Sequence, residues 1–294
     1  MDVRLHEVER LGLSPERKNI AEMPWTKRAV SYVVDRQNED GGYTFCQGTE
    51  SNAQDTYYGL AILDLLETPF PNPKETLNWL QSFVPDSHYS HYYVAEALRL
   101  CNEKPQRSLK EFLLSLRFVR GELEADDVYV EVASEFELAF MITELLNIVD
   151  VEVDRQKTIS WLLKYKNEDG GFGIRGLSNL NSTYHAVASL FNLGYPVKSL
   201  RETTGYVRSC EKPYGGFTII PRSFNPYMEH VYYGIATLEL LGEQAWHPKE
   251  TAEFVLACQN LNGGFARSDL GISTFEDSFF AISILKTINR QGRR

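Results

Sequence analysis

Residues 167–193 read NEDGGFGIRGLSNLNSTYHAVASLFNL, and this stretch decides the fold. A Gly-Gly-Phe turn, Gly170 to Phe172, leads through a short polar loop into an apolar segment with small residues on one side. Adjacent glycines end a helix, and the apolar residues beyond the loop recur at helical spacing. The stretch therefore predicts a helix that ends at the turn, a polar loop and a second helix.

The same order of features recurs along the chain. The second glycines of the clear copies are Gly42, Gly171, Gly216 and Gly264. Their spacing corresponds to a period of about 45 residues, so two weaker copies must lie between the first and second clear ones. These copies are found at 86–98, which has lost its glycines, and at 121–146. Six copies of one repeat fill the chain.

Each copy predicts one helical hairpin, because no segment alternates with period two for long enough to form a strand. The outer helices are predicted near 25–37, 74–83, 108–117, 154–166, 199–210 and 249–259. The inner helices are predicted near 55–66, 91–101, 134–148, 182–193, 229–241 and 276–287. A single hairpin cannot bury its apolar faces, so neighbours must stack. The periodicity alone leaves two architectures open, an open superhelix and a closed double ring.

Composition narrows the class of protein. The chain has 30 basic and 40 acidic residues and a net charge of −10, and its basic residues cluster only at 290–294, which argues against a nucleic-acid partner. No apolar run approaches the roughly 20 residues that cross a bilayer, and the charged N-terminus lacks a signal-peptide core. We expect a cytoplasmic protein with no membrane span, a leader at 1–23 packed on the barrel, and one domain at 24–294.

The repeated turn resembles the repeat of protein prenyltransferase β subunits and of squalene and hopene cyclases. It is carried by Gln37-Asn38 with Gly41-Gly42-Tyr43, Asn167 with Gly170-Gly171-Phe172, Gly215-Gly216-Phe217, and Gln259-Asn260 with Gly263-Gly264-Phe265. The resemblance covers nearly the whole chain from about Pro24. It implies an all-α (α/α)6 toroid, a barrel of six helical hairpins in inner and outer rings. It also implies that an isoprenoid chain lies in the central funnel and that a helical partner subunit is possible.

Helix ends indicate where polar chemistry would lie in such a toroid. The N-termini of the inner helices converge, and their free N–H groups and dipoles favour carboxylates and anionic ligands. Aligning the copies places Asp55, Ser90, Glu135, Ser182, His230 and Asp277 in one slot. The predicted catalytic residues are Asp55, Glu135, Glu137 and Asp277. For Glu135 and Glu137, surface carboxylates that merely favour a helix N-terminus are the alternative.

A zinc site is a second expectation. The resemblance implies a catalytic zinc held by Asp-x-Cys in the fifth copy and by a histidine in the sixth. Here the fifth copy reads His230-Val231-Tyr232 and the sixth reads Thr274-Phe275-Glu276-Asp277, so the thiolate is missing. Glu229, His230 and Asp277 are the predicted ligands, since three N or O ligands plus water is a catalytic zinc pattern. The alternative is that no metal is bound.

The resemblance to cyclases implies a proton donor of the pattern Asp-x-Asp-Asp. The nearest match is the run at 124–127, Glu-Ala-Asp-Asp, which lies in a loop of the third copy rather than at a helix start. Clustered carboxylates can hold a proton at raised pKa, as a general acid requires. A solvated acidic loop is the favoured interpretation of this run.

Aromatic and basic residues complete the predicted site. The residues predicted to line a substrate funnel are Tyr57, Tyr92, Phe136, Tyr184, Tyr232 and Phe279, all in inner helices. Arg175, Arg222 and Arg267 follow Gly-Gly turns and are candidates for a diphosphate, with plain surface charge as the alternative. The sequence thus predicts an isoprenoid-handling enzyme of transferase or cyclase type. A non-catalytic binding or scaffolding toroid is the alternative.

Overall fold

The computed structural model describes residues 23–116, 132–149, 151 and 153–292. Apart from Met23, the expected leader lies outside the described residues, and so does the acidic run at 124–127. Within the described part the regular secondary structure is mostly α-helix, in twelve helices. None of these helices is both long and apolar enough to cross a membrane.

The helices alternate between two layers. The outer helices are α1 (Pro24–Val34), α3 (Pro73–Ser82), α5 (Arg107–Ser115), α7 (Arg155–Leu163), α9 (Arg201–Cys210) and α11 (Pro248–Ala257). The inner helices are α2 (Ala53–Leu65), α4 (His88–Leu100), α6 (Val132–Leu145), α8 (Leu180–Asn192), α10 (Met228–Leu241) and α12 (Phe275–Gln291). A 3-10 turn, Val197–Ser199, precedes α9.

The inner helices form a closed ring. Each packs on the next, and α12 packs on α2, so the sixth hairpin meets the first. Hydrogen bonds join the two ends of the ring: the Tyr32 hydroxyl donates to the Ser273 carbonyl at 3.0 Å, and Gln259 Nε2 donates to the Trp25 carbonyl at 3.0 Å. The closed toroid is therefore confirmed, and the open superhelix is excluded.

The Gly-Gly turns set the spacing between neighbouring hairpins. At Gly263, φ is +94° and a Cβ would lie 2.2 Å from the carbonyl oxygen of Arg28 in α1. Gly41, Gly170 and Gly215 approach the backbones of α3, α9 and α11 in the same way. Only glycine combines this backbone conformation with so close a contact. Each turn thus positions the next outer helix.

The aromatic residue after each turn wedges the two layers together. Tyr43, Phe172, Phe217 and Phe265 are all fully buried. The backbone N–H of Phe172 donates to the Thr183 hydroxyl at 3.0 Å, and the N–H of Phe265 donates to the Ser278 hydroxyl at 2.9 Å. A buried hydroxyl on the inner helix therefore satisfies a loop N–H that would otherwise be unpaired.

One short pair of strands departs from the all-helical expectation. β1 (Phe265–Ala266) and β2 (Ser273–Thr274) pair antiparallel across the loop before α12. Two residues per strand are too few for an alternating pattern to be recognised in the sequence. The pair leads the chain directly into α12.

Candidate functional site

The aligned slot that was predicted to form a catalytic ring is mainly a capping position. In four inner helices its residue is N3, and its backbone N–H donates to the N-cap side chain: Asp55 to Asn52, Ser90 to Ser87, Ser182 to Asn179 and Asp277 to Thr274. At Ser90 the side chain also accepts from the Ser87 backbone N–H at 3.0 Å, which completes a capping box. The regular recurrence of this slot therefore has a structural cause.

The two predicted catalytic aspartates face their caps rather than the axis. Asp55 is 8% exposed, and its Oδ2 accepts from Asn52 Nδ2 at 2.7 Å and from the Phe45 N–H at 3.2 Å. Asp277 Oδ2 accepts from the Thr274 hydroxyl at 2.8 Å. Burial raises the pKa of Asp277 to about 6. Neither side chain lines the central cavity, and neither does Glu135.

The residues two positions further on do face the axis. All six of them line a central cavity of about 420 Å³: Tyr57, Tyr92, Glu137, Tyr184, Tyr232 and Phe279. The sequence analysis predicted five of these as the funnel wall and Glu137 as a catalytic residue. The structure brings these six predicted residues together at one site.

A second ring of lining residues was not singled out as part of the site. Tyr58, Tyr93, His185, Tyr233 and Phe280 each follow a first-ring residue and also line the cavity. Stacked pairs tie the rings together, such as Tyr232 on Phe280 with centroids 4.5 Å apart. The doubled aromatics in the sequence, such as Tyr57-Tyr58, were the signal that could have identified this ring.

Phe136 has a different role from the predicted one. It is 0% exposed and lies outside the cavity wall. Its ring packs edge-on against Tyr165, with centroids 5.4 Å apart, and tilted against Trp161 of α7. The residue before Glu137 on a helix points away from the axis, so Phe136 fills the space between the layers.

Four carboxylates lie on the cavity wall, at Glu137, Glu144, Glu239 and Glu276. The Tyr89 hydroxyl donates to Glu137 at 3.1 Å, and the Tyr58 hydroxyl donates to Glu276 at 3.0 Å. Among the described residues of the wall there is no lysine or arginine. The cavity therefore combines aromatic surface with negative charge.

Glu276 is a cavity carboxyl whose pKa is raised to near neutrality. Burial, together with repulsion from Asp277, Glu137 and Glu229, raises its pKa to about 7 despite the opposing hydrogen bond from Tyr58. Burial also raises the pKa of Glu137 and of Glu144. A buried carboxyl with a pKa near neutrality is suited to proton transfer. Sequence alignment missed Glu276 because it precedes the aligned slot by one residue.

The predicted zinc ligands do not form a site for zinc. Glu229 Oε1 lies 3.4 Å from His230 Nε2, but the same oxygen is held by Arg267 Nη2 at 2.5 Å. The Asp277 carboxylate accepts a hydrogen bond from the Thr274 hydroxyl. Among the described residues, no group of three or more His, Cys, Asp or Glu side chains is arranged to hold a metal ion. These residues therefore do not fit zinc, and no reaction step is assigned to a metal.

The predicted diphosphate arginines lie outside the cavity wall. Arg175 and Arg222 are exposed on loops. Arg267 is paired with Glu229 and lies over the Tyr227 ring at 4.3 Å. The structure thus does not assemble them around the cavity.

Comparison with known proteins identifies what the chain is similar to. The family model for the prenyltransferase α-α toroid domain matches residues 11–117 and 111–294. No curated protein sequence matches the chain.

Solved structures share the fold at low sequence identity. The Candida albicans protein geranylgeranyltransferase-I, solved with GGPP, is 15% identical with a TM-score of 0.67, covering 91% of this chain and 92% of its own. A variant of the Scytonema type II terpene cyclase MstE with its product, merosterolic acid A, is 10% identical with a TM-score of 0.59, covering 98% of this chain and 99% of its own. Another MstE variant, with geranylgeranyl dihydroxybenzoate, is 11% identical with a TM-score of 0.59, covering 97% of each chain. At these identities the likeness shows the fold.

Proposed function

Because the chain belongs to the prenyltransferase α/α toroid family, we propose that it binds an isoprenoid-type chain in the central cavity and acts on it as an enzyme. The observation that carries this proposal is the axial cavity itself, which is lined by aromatic side chains from all six inner helices. Its volume of about 420 Å³ is within the range of roughly 300–1,000 Å³ of small-molecule pockets. The toroids solved with GGPP and with geranylgeranyl dihydroxybenzoate support this ligand class.

The physical basis of binding is the burial of apolar chain against aromatic rings. Each buried methylene contributes about 0.8 kcal/mol, so a chain of fifteen carbons supplies roughly 12 kcal/mol before the cost of association, about 4–15 kcal/mol, is subtracted. Shortening the chain by one five-carbon unit should therefore weaken binding strongly. This dependence on chain length is a property of the proposed function that a surface contact would not share.

Glu276 is the group we assign to proton transfer. It lies on the cavity wall, where a bound chain would touch it, whereas Asp55 and Asp277 face their helix caps. With its pKa raised to about 7, the carboxyl exists in both protonation states near neutral pH. It can therefore donate a proton to a bound ligand or accept one from it.

A binding toroid without chemistry is the second candidate. It is favoured by the absence of a cysteine at position 232, where the resemblance implies a zinc thiolate. The helical partner subunit remains a prediction for either candidate. Both candidates require the cavity, and only the first requires turnover.

The test of the proposal is calorimetric titration with farnesol and geraniol, which carry fifteen and ten carbons. We expect farnesol to bind much more tightly than geraniol. Ala236 lies on the cavity wall, so Ala236→Trp should fill the cavity and abolish binding of both alcohols. Leu177→Trp adds a tryptophan at a position that is 72% exposed and is the matched control. Equal affinity for both alcohols, or undiminished binding by the filled variant, would contradict the proposal. Products that form with wild type and not with Glu276→Gln would separate enzyme from binder.

A further inference from the structure

We propose that the cavity selects an isoprenoid-type ligand whose head group is a positively charged amine, held between Glu137 and Glu276. This inference rests on the proposed function for the apolar chain and adds the chemical class of the head group. It is carried by the positions of the two carboxylates, by the lack of a lysine or arginine among the described residues of the wall, and by a buried polar side chain on the same wall.

The two carboxylates lie at the same end of the cavity. Glu137 is in the second turn of α6, and Glu276 is in the first turn of α12. Both act electrostatically on the hydroxyls of Tyr93 and Tyr233, and Tyr93 packs against Tyr58, the donor to Glu276, with ring centroids 5.6 Å apart. Burial is the main cause that raises the pKa of Glu276, and repulsion from Asp277 and from Glu137 adds to it. A cation placed between the carboxylates would replace this repulsion with two attractions.

The negative charge at this end lacks a cationic partner on the described wall. Each of the two carboxylates receives one hydrogen bond there, from a tyrosine hydroxyl. At the opposite end the situation differs, because Glu239 is paired with Arg290 and Glu144 accepts from Tyr92 and Asn192. The cavity therefore has one end at which a ligand cation would be the natural counter-charge.

His185 supplies an independent indication of a polar ligand group. It is 6% exposed, lies on the cavity wall, and its Nδ1 has no hydrogen-bond partner. Burial lowers its pKa to about 3, so the ring is neutral and one of its nitrogens can accept a hydrogen bond. Its ring lies beside Tyr233, with centroids 5.1 Å apart. An ammonium group carries the N–H donors that such an acceptor requires.

The aromatic wall favours the same charge. The face of a tyrosine ring attracts a cation that lies within about 6 Å of its centroid, and this attraction grows when water is excluded. Tyr58, Tyr93 and Tyr233 surround the Glu137 and Glu276 end of the cavity. An ammonium at this position would have aromatic faces and carboxylates as neighbours together.

A diphosphate head is disfavoured at this end. Its negative charges would face Glu137 and Glu276 without a lysine or arginine on the described wall. Helix N-termini can bind anions, but at α2, α8 and α12 an N–H of the first turn is already bonded to the cap side chain. At these three helices the capped N–H groups are therefore not free to compensate for the missing basic residues.

The rest of the cavity suits the tail. Glu137 and Glu144 are seven residues apart on α6, which corresponds to about 10 Å along the helix. Between these ends the wall is formed by Phe140, Tyr184 and Tyr232. Phe191, 54% exposed in the last turn of α8, lines the far end. An extended apolar chain could run from the carboxylates towards this end.

The test compares three ligands with the same fifteen-carbon chain: farnesylamine, farnesol and farnesyl diphosphate. Calorimetric titration at pH 8 is expected to show that the amine binds about tenfold more tightly than the alcohol, because hydrogen bonds to charged groups are stronger than neutral ones. The diphosphate is expected to bind more weakly than the alcohol. The variant Glu137→Gln with Glu276→Gln should lose the preference for the amine over the alcohol. The exposed-site variant Glu39→Gln should behave as wild type.

The outcomes separate this inference from the proposed function. If farnesol binds and farnesylamine binds no more tightly, the head-group inference is overturned and the proposed function stands. The inference is also overturned if the double variant keeps the amine preference, or if the diphosphate is the tightest ligand. If none of the three ligands binds, the proposed function fails and the inference fails with it.

Discussion

The closure of the toroid depends on Gly263, and the change Gly263→Ala tests it. An alanine Cβ at this position would lie 2.2 Å from the carbonyl oxygen of Arg28 and 2.7 Å from its carbon. Both are backbone atoms of α1, so they cannot rotate away as a side chain would. Either α1 must move outward or the turn must change its conformation.

The cost can be worked out from three contributions. An alanine at φ +94° is strained by about 1–2 kcal/mol, and a forced overpacking costs typically 1–3 kcal/mol. Displacing α1 would also weaken the hydrogen bond between Arg28 and Gln259, 2.7 Å long, by about 1 kcal/mol. Together these lower the free energy of unfolding by about 3–6 kcal/mol. For a chain of this size, that corresponds to a fall in Tm of about 6–12 °C.

Two other glycines are matched controls. At Gly176, φ is +76° and a Cβ would meet nothing within 4 Å, so Gly176→Ala should cost only the backbone strain of about 1–2 kcal/mol. Gly205 lies inside α9 with open space around it, so Gly205→Ala should stabilise by about 0.5–1 kcal/mol. Thermal unfolding followed by far-UV circular dichroism measures all three. A Tm for Gly263→Ala within about 2 °C of that for Gly176→Ala would refute the close contact as the basis of ring closure.

Three further predictions concern a buried carboxyl, a buried hydroxyl and the metal. The pKa of Glu276 rises on folding from 4.5 to about 7, so the contribution of this carboxyl to stability falls as pH rises across that interval. In thermal unfolding, Glu276→Gln should be more stable than wild type by on the order of 3 kcal/mol at pH 8 and equal to wild type at pH 4. An equal difference at both pH values would contradict the assignment. In urea unfolding, Thr183→Val should lower the free energy of unfolding by about 1–3 kcal/mol because it leaves the Phe172 N–H unpaired. The Thr237 hydroxyl only donates to the Tyr233 carbonyl, so the control Thr237→Val should lower the free energy of unfolding by less. Equal losses would show that the loop N–H does not need Thr183. Plasma mass spectrometry of protein purified without chelators should find the same zinc content in wild type and in His230→Ala. The reason is that Glu229 is paired with Arg267 and Asp277 accepts a hydrogen bond from Thr274. Loss of one equivalent of zinc in the variant would restore the zinc prediction.

The fold could be predicted from the sequence because its main determinants are local and repeated. The turn at Gly170 to Phe172 carries its own reason for being glycine, a positive φ and a close backbone contact, and the period of the turns sets the number of hairpins. The periodicity alone does not predict whether the hairpins close into a ring. Ring closure followed from the resemblance to known toroids and is now explained by contacts such as the one between Gly263 and Arg28.

The site could be predicted only in part, because alignment alone does not say which way an aligned residue faces. Asp55 and Asp277 recur for the sake of helix capping, while Tyr57 and Phe279, two residues on, face the axis. Residues two positions apart on a helix are separated by about 200° around its axis. A capping residue and a wall residue can therefore belong to the same repeated sequence pattern. Glu276 lies one position before the aligned slot, and only the three-dimensional ring brings it near Glu137.

The central claim is that an apolar chain occupies the axial cavity. The exposed loops offer a rival surface, because Leu177, Phe224, Leu270 and Ile272 are each more than 70% exposed. Photo-crosslinking with a diazirine-bearing farnesol, followed by peptide mapping in a mass spectrometer, distinguishes the two. Crosslinks to cavity residues such as Tyr92, Tyr184 and Tyr232, lost when unlabelled farnesol competes, are the predicted result. Crosslinks confined to the four loop residues would contradict the account.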